Sequence, residues 1–185
     1  MAQRALTADD WIKAGFRALS THGENGLRAE RLAKLLGATK GSFYWHFKDV
    51  PDFHTKMIET WEEAGTRNIM LAVGNDAAGM DALRKLFTII GQTIANNPYG
   101  GNKVEPAIRE WGKTNRLVRS RVLAVDRKRI NYVAELLTAA GQSQDAATLN
   151  SRLLYAALVG METMGAQKKI DIGAEMLRLL DRLLK

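Results

Sequence analysis

The chain has no cysteine, which removes disulfides, thiolate nucleophiles and zinc-thiolate sites together and agrees with a reducing compartment. Long apolar runs are missing as well. The longest-looking one, "LLYAALVGM", falls far short of the roughly 20 residues that span a bilayer, so no membrane partner is expected. The first residues, "MAQRALTADDW", reach acids before an apolar stretch can form, unlike a secretory signal. A cytoplasmic location is the expectation. Catalytic patterns are also absent. "YGGN" lacks the spacing and the following Lys-Ser/Thr of a phosphate loop, and neither H-E-x-x-H nor G-x-S-x-G occurs. The histidines, His22, His46 and His54, never stand four apart. Glu62 and Glu63 are adjacent rather than facing on a helix. No enzyme, metal site or cofactor is expected.

What the chain does have is basic charge and helical periodicity. Its 185 residues, 46% of them hydrophobic, and its mean hydropathy of -0.22 suit a globular protein of one domain or of a small module joined to a larger one. The net charge of +7 and the pI near 9.8 favour an anionic partner. Placement of that charge is uneven. Residues 1–48 hold Arg4, Lys13, Arg17, Arg28, Arg31, Lys34, Lys40 and Lys48 against Asp9, Asp10, Glu24 and Glu30, more than half of the excess in about a quarter of the chain.

Apolar residues recur at helical spacing nearly everywhere and β-branched runs are scarce, so the fold class is all-α, with about nine helices. Thr7 is placed to cap a first helix carrying Trp11, Ile12, Phe16 and Leu19 on one stripe. A short second helix bears Leu32, Ala33 and Leu36 and ends at Gly37, where a left-handed backbone suits a C-cap. A third runs from Thr39 to Phe47. Asp49 and Pro51 open a fourth, expected to reach about Met70. A fifth carries Leu83, Leu86, Phe87, Ile90 and Ile94, and "NNPYGGN" follows as the clearest loop. Beyond it come a short helix through Ala107 and Trp111, a long one from about Leu117 to Ala139, another from Ala146 to about Gln167, and a last one in "EMLRLLDRLL".

Two short helices with Ala33 at the crossing and Gly37 at the bend have the make-up of a helix-turn-helix, and equally of an ordinary helical hairpin within a core. In "GATKGSFYWHFKD", Phe43 and Phe47 fall one turn apart and can anchor the third helix from behind. Lys40, Ser42, Tyr44 and Trp45 then occupy its other faces. Two large rings there are unusual for a solvated helix. Hydroxyls, ammonium groups and the free amides of a helix start all donate to phosphate oxygens.

The stretch "LRAERLAKLLGATKGSFYWHFKD" resembles the DNA-binding domain of the TetR family of transcriptional repressors, in which a Gly-small-apolar-Tyr-x-His-Phe pattern matches Gly41 to Phe47. The resemblance implies a three-helix DNA-binding domain over residues 1–48 and a larger helical domain over 49–185 that binds an effector and pairs two subunits. It implies that Thr39 caps the recognition helix, that Lys40, Gly41 and Ser42 approach bases, and that Tyr44, His46 and Lys48 hold phosphates. Trp45 can do either. A histidine among aromatics also serves as a packing partner, and only the motif gives His46 a phosphate. Arg28 stands where the family often has a capping Ser or Thr; it cannot accept from free amides but can reach a phosphate. Val50 replaces a common lysine, and Lys48 can compensate.

For the larger part, the implied partners are double-stranded DNA, a second copy of the chain and a small-molecule effector. Ala156, Ala157, Gly160 and Met164 on the penultimate helix, with Met176, Leu180 and Leu183 on the last, are the candidate dimer residues. A single domain can also bury such faces internally. Trp61, Phe87, Ile90, Ile94, Trp111, Tyr132 and Met161 are pocket candidates, although large residues at helical spacing commonly form plain core. An apolar pocket suits a hydrophobic effector; the basic run from Arg116 to Arg129 suits an anionic one, or is a solvated face. The competing reading is a non-catalytic helical module that binds an acidic protein.

Overall fold

The computed structural model describes residues 5–74, 77–96, 98–165 and 170–184, and among them every regular element is helical. Helix α1 spans Ala8–His22. Thr7 closes its start as expected: its hydroxyl accepts from the Asp10 amide while the Asp10 carboxylate accepts from the Thr7 amide, satisfying two amides reciprocally. After a 3-10 turn, Glu24–Leu27, come α2, Ala29–Leu36, and α3, Lys40–His46. Gly37 joins them at φ 63°, ψ 29°, a left-handed conformation that costs an ordinary L-residue strain.

Helix α4 runs through Val50–Glu62, a single π-helical turn at Glu63–Arg67 and a further stretch, Asn68–Val73. It therefore outruns the expected end near Met70. The Asp49 carboxylate caps it by accepting from the Asp52 amide at 2.8 Å. Helix α5 is Gly79–Asn96; a 3-10 turn, Gly101–Lys103, leads into α6, Val104–Thr114. Helices α7, Arg116–Ala139, and α8, Gln144–Gly165, form the long hairpin, and α9 is Ile172–Leu183. The penultimate helix's expected end near Gln167 lies outside the described residues.

Two cores organise these helices. The first gathers Trp11 and Phe16 of α1, Leu32 of α2, Phe43 of α3 and Phe53 and Met57 of α4, and then continues into Ile108 and Trp111 of α6 and Val118, Val122 and Val125 of α7. The N-terminal helices thus share their interior with helices beyond residue 49. The second holds Leu83, Leu86 and Phe87 of α5, Val133 and Leu137 of α7, Leu154 of α8, and Met176 and Leu180 of α9. Met176 and Leu180 are completely buried within one chain, which corrects their assignment as dimer contacts: a side chain already enclosed by its own core has no surface left for a partner.

Candidate nucleic-acid face and internal cavity

Helix α3 is held from behind by rings. Phe43 is fully buried, with its centroid 5.4 Å from Trp11 and 5.3 Å from Phe53, both edge-on, and 5.1 Å from Phe47. Such contacts add to the burial of two large side chains. Thr39 caps the start, its hydroxyl accepting from the Ser42 amide at 3.2 Å. Arg28, at the matching place before α2, makes no capping bond; its guanidinium donates to Asn25 at 3.4 Å.

The opposite side of α3 faces outward. Trp45 is 89% exposed and Tyr44 45%; Lys40, Gly41, His46 and Lys48 are exposed, and Ser42 is half-buried. Every candidate DNA contact is therefore at or near the surface of one end of the chain. The Tyr44 ring leans edge-on against Phe43 at 5.3 Å, which fixes the ring while leaving its hydroxyl free. Gly41 faces open space, with only the Thr39 hydroxyl near an added β-carbon. One partner was not foreseen: Lys40 is ion-paired with Glu30 of α2, a hydrogen bond that raises its pKa. A lysine engaged in this way must leave Glu30 to reach DNA.

A second site lies inside the helical body. A cavity of about 100 Å³ opens among α1, α4, α5, α6, α7 and α8. Of the seven expected residues, Trp61, Phe87, Ile90, Ile94 and Tyr132 line it. Trp111 and Met161 do not. Trp111 belongs to the first core, edge-on to His54 at 4.9 Å, and Met161 packs against the second. These two are corrected because helical spacing shows that a residue faces inward without showing which interior it faces.

The cavity's polar wall escaped the sequence reading entirely. Glu105 is buried, yet it accepts from Trp61 Nε1 at 2.9 Å, from Arg109 at 2.8 Å and from Arg129 at 3.2 Å. Burial pushes its carboxyl up, but the charges of Arg129 and Arg109, with the bonds from Trp61 and Arg109, hold it below the ordinary range. Arg109 also grips Asp126 through two bonds of 3.2 and 2.8 Å, and the Tyr155 hydroxyl donates to Asp126 at 2.6 Å. Arg129 stacks over Trp61 with its centre 5.2 Å from the ring centroid, and its remaining donors reach Thr66 Oγ1 at 2.9 Å and the Gly65 carbonyl at 3.1 Å. That carbonyl lies in the π-helical turn of α4, where the wider winding departs from the usual bonding ladder. An interlocked set of buried ions of this kind is costly to break at any one member.

Solved structures share this all-helical fold. The chain superposes on the fatty acid degradation regulator FadR from Bacillus halodurans with a TM-score of 0.74 and 18% identity, covering 98% of this chain and 96% of that one. It is also similar to a Rhodococcus sp. protein assigned to the TetR family of transcriptional regulators, with a TM-score of 0.68, 16% identity and coverage of 96% and 98%. SmeT, the repressor of the Stenotrophomonas maltophilia multidrug efflux pump SmeDEF, gives a TM-score of 0.70 at 16% identity, covering 97% of this chain and 89% of SmeT. At such identities the likeness shows the fold. No protein-family profile matches the chain, and no curated protein matches it by sequence.

Proposed function

We propose that the chain is a TetR-type transcriptional regulator that binds a palindromic DNA operator as a homodimer and releases it when a small molecule occupies the internal cavity. The observation that carries this reading is the outward face of α3: Lys40, Tyr44, Trp45, His46 and Lys48 stand exposed on a helix whose back is locked by Phe43 and Phe47. A recognition helix needs that combination, a rigid rear and a donor-rich front. It acts in the cytoplasm, where its operator is.

A single reading head captures half of a two-fold operator, so the regulator works as a pair. Leu149, Leu153, Ala156, Gly160 and Met164 follow one another along α8 at spacings of four, three, four and four, and all are exposed or half-buried. Three of them are large: Leu149 at 59%, Leu153 at 46% and Met164 at 63% exposure. A β-carbon at Gly160 would meet nothing within 4 Å, so its smallness serves no contact within the chain and admits a second helix. Ala157 and Leu183, half-buried beside this stripe, flank the interface.

Helix α4 supplies the link. It begins beside α3 at Asp49, and its π-helical turn is gripped by Arg129 at the cavity wall; Phe16 of α1 lines the same cavity. An effector that prefers an arrangement with the wrong spacing between recognition helices lowers operator affinity by its differential affinity for the two arrangements. Binding to labelled duplexes across a salt series tests the DNA assignment. Affinity is expected to fall with a log-log slope of about 0.9 per neutralised phosphate, and one palindrome to be preferred over random duplex. Weak, salt-insensitive binding would leave the exposed rings of α3 as a protein-binding patch instead.

A further inference from the structure

The ion cluster at the cavity wall is balanced without Glu162. Two guanidinium groups, Arg109 and Arg129, face two carboxylates, Glu105 and Asp126. Arg129 engages four of its five N–H donors with Thr66, Glu105, Tyr155 and Gly65, and among the described residues none of its bonds goes to Glu162. Glu162, from α8, lines the same cavity. It is only 8% exposed and makes no hydrogen bond or ion pair among the described residues. A carboxyl more than nine-tenths buried and left unpartnered beside an apolar space is costly unless something arrives to satisfy it.

We propose that the cavity takes a hydrophobic cation, such as an aliphatic amine, whose positive group pairs with Glu162 while its apolar part lies against Phe87, Ile90 and Ile94. The inference rests on the reading of this cavity as the effector site and names the effector's chemical class. Charge decides the sign. With Glu162 ionised the cluster carries one surplus negative charge, which a monovalent cation neutralises and an anion would double. Tyr132 on the same walls adds a ring that favours a cation further. The anionic effector suggested by the basic run ending at Arg129 would meet there a guanidinium whose charge is already matched by Glu105.

Burial, reinforced by the neighbouring Glu105 charge and only partly offset by Arg129 and Arg109, raises the Glu162 carboxyl to about 8. Empty, the site therefore holds a proton at neutral pH, and pairing with a cation expels it. Tyr99, Tyr132 and Tyr155 line the cavity together with the paired Glu105 and Arg129; burial raises all three hydroxyls, so they stay neutral through the same range.

The test is calorimetric titration of the DNA-free, full-length chain at pH 7 with hexylammonium chloride, 1-hexanol and sodium hexanoate, each in two buffers of different ionisation enthalpy. Hexylammonium is expected to bind tightest and to release about one proton per molecule bound, which the buffer comparison reads directly. In Glu162→Gln the preference for hexylammonium over hexanol is expected to fall by about tenfold or more. The inference is overturned if hexanoate binds as well as the amine, if no saturable amine binding occurs, if the parent releases no proton, or if Glu162→Gln keeps the parent's preference. Because no DNA is present, these outcomes are independent of operator binding. A chain that binds amine but no duplex would sink the regulator reading alone.

Discussion

The two ends of this molecule use charge in opposite ways. At α3 the charges are exposed, singly held and replaceable by solvent, so each is worth little until a polyanion approaches. At the cavity the charges are buried and mutually bonded, so each is worth a great deal to its neighbours and the one without a partner is conspicuous. The difference teaches that a surface proposed to meet a large charged partner can remain loosely organised. A small interior site must be built in advance, because no water remains there to correct a mismatch.

Removing a member of the interior set should give the largest effect. Glu105→Ala leaves Arg129 and Arg109 buried against a missing charge and is expected to cost about 3–5 kcal/mol of stability, read as a lower urea midpoint. A loss no greater than that of an exposed carboxylate would mean that the interior charges are solvated like those of α3.

The next effect is a pH dependence. Glu162 has its folded pKa raised to about 8 from an unfolded value near 4.5, so the folded chain holds the extra proton between the two. Stability is therefore present at low pH and lost as pH rises toward 8. His54, whose pKa burial lowers despite the nearby Glu24, works in the opposite sense below the ordinary histidine value near 6.5. That leaves about pH 6.5 to 8 as the clean window. A decline of about 1–2 kcal/mol is expected across it, abolished in Glu162→Gln, as measured by denaturation at a series of pH values. A flat profile in the parent would place that carboxyl in water.

Effects at the exposed end should be smaller. Tyr44→Phe removes the hydroxyl proposed to donate to phosphate and is expected to weaken binding to all duplexes alike by about 1 kcal/mol, without lowering the midpoint of unfolding. Unchanged affinity would remove Tyr44 from the interface. Smallest is Glu30→Gln, which frees Lys40 from its ion pair and should tighten duplex binding by about twofold to fivefold in a low-salt gel-shift series. Weaker binding would show that Glu30 positions Lys40 rather than restraining it.

How far each site could be read in advance follows from how local its parts are. The cap at Thr7, the bend at Gly37, the cap at Thr39 and the rear anchors Phe43 and Phe47 all involve residues within a turn or so of one another. Spacing located them, except for the cap at Thr39, which the family resemblance implied. The exposed stripe on α8 was legible in part: Ala156, Gly160 and Met164 were named, whereas Leu149 and Leu153 were not singled out. Five of the seven residues named from spacing line the cavity, yet the neighbour of one that does not, Glu162 beside Met161, is the chemically distinctive one. Only a charged residue on the otherwise apolar run of α8 hinted at it.

The order of helices, their caps and the donor-rich front of α3 were determined by the sequence itself, because hydrogen bonds and side-chain contacts at i, i+3 and i+4 depend on nothing beyond the local chain. Tertiary structure alone decided that Glu105 meets Arg129, 24 residues away, that Met176 and Leu180 turn inward, and that Glu162 is left over. Those outcomes depend on which helix faces crowd into one low-dielectric space, where a partner is either supplied by another helix or missing altogether.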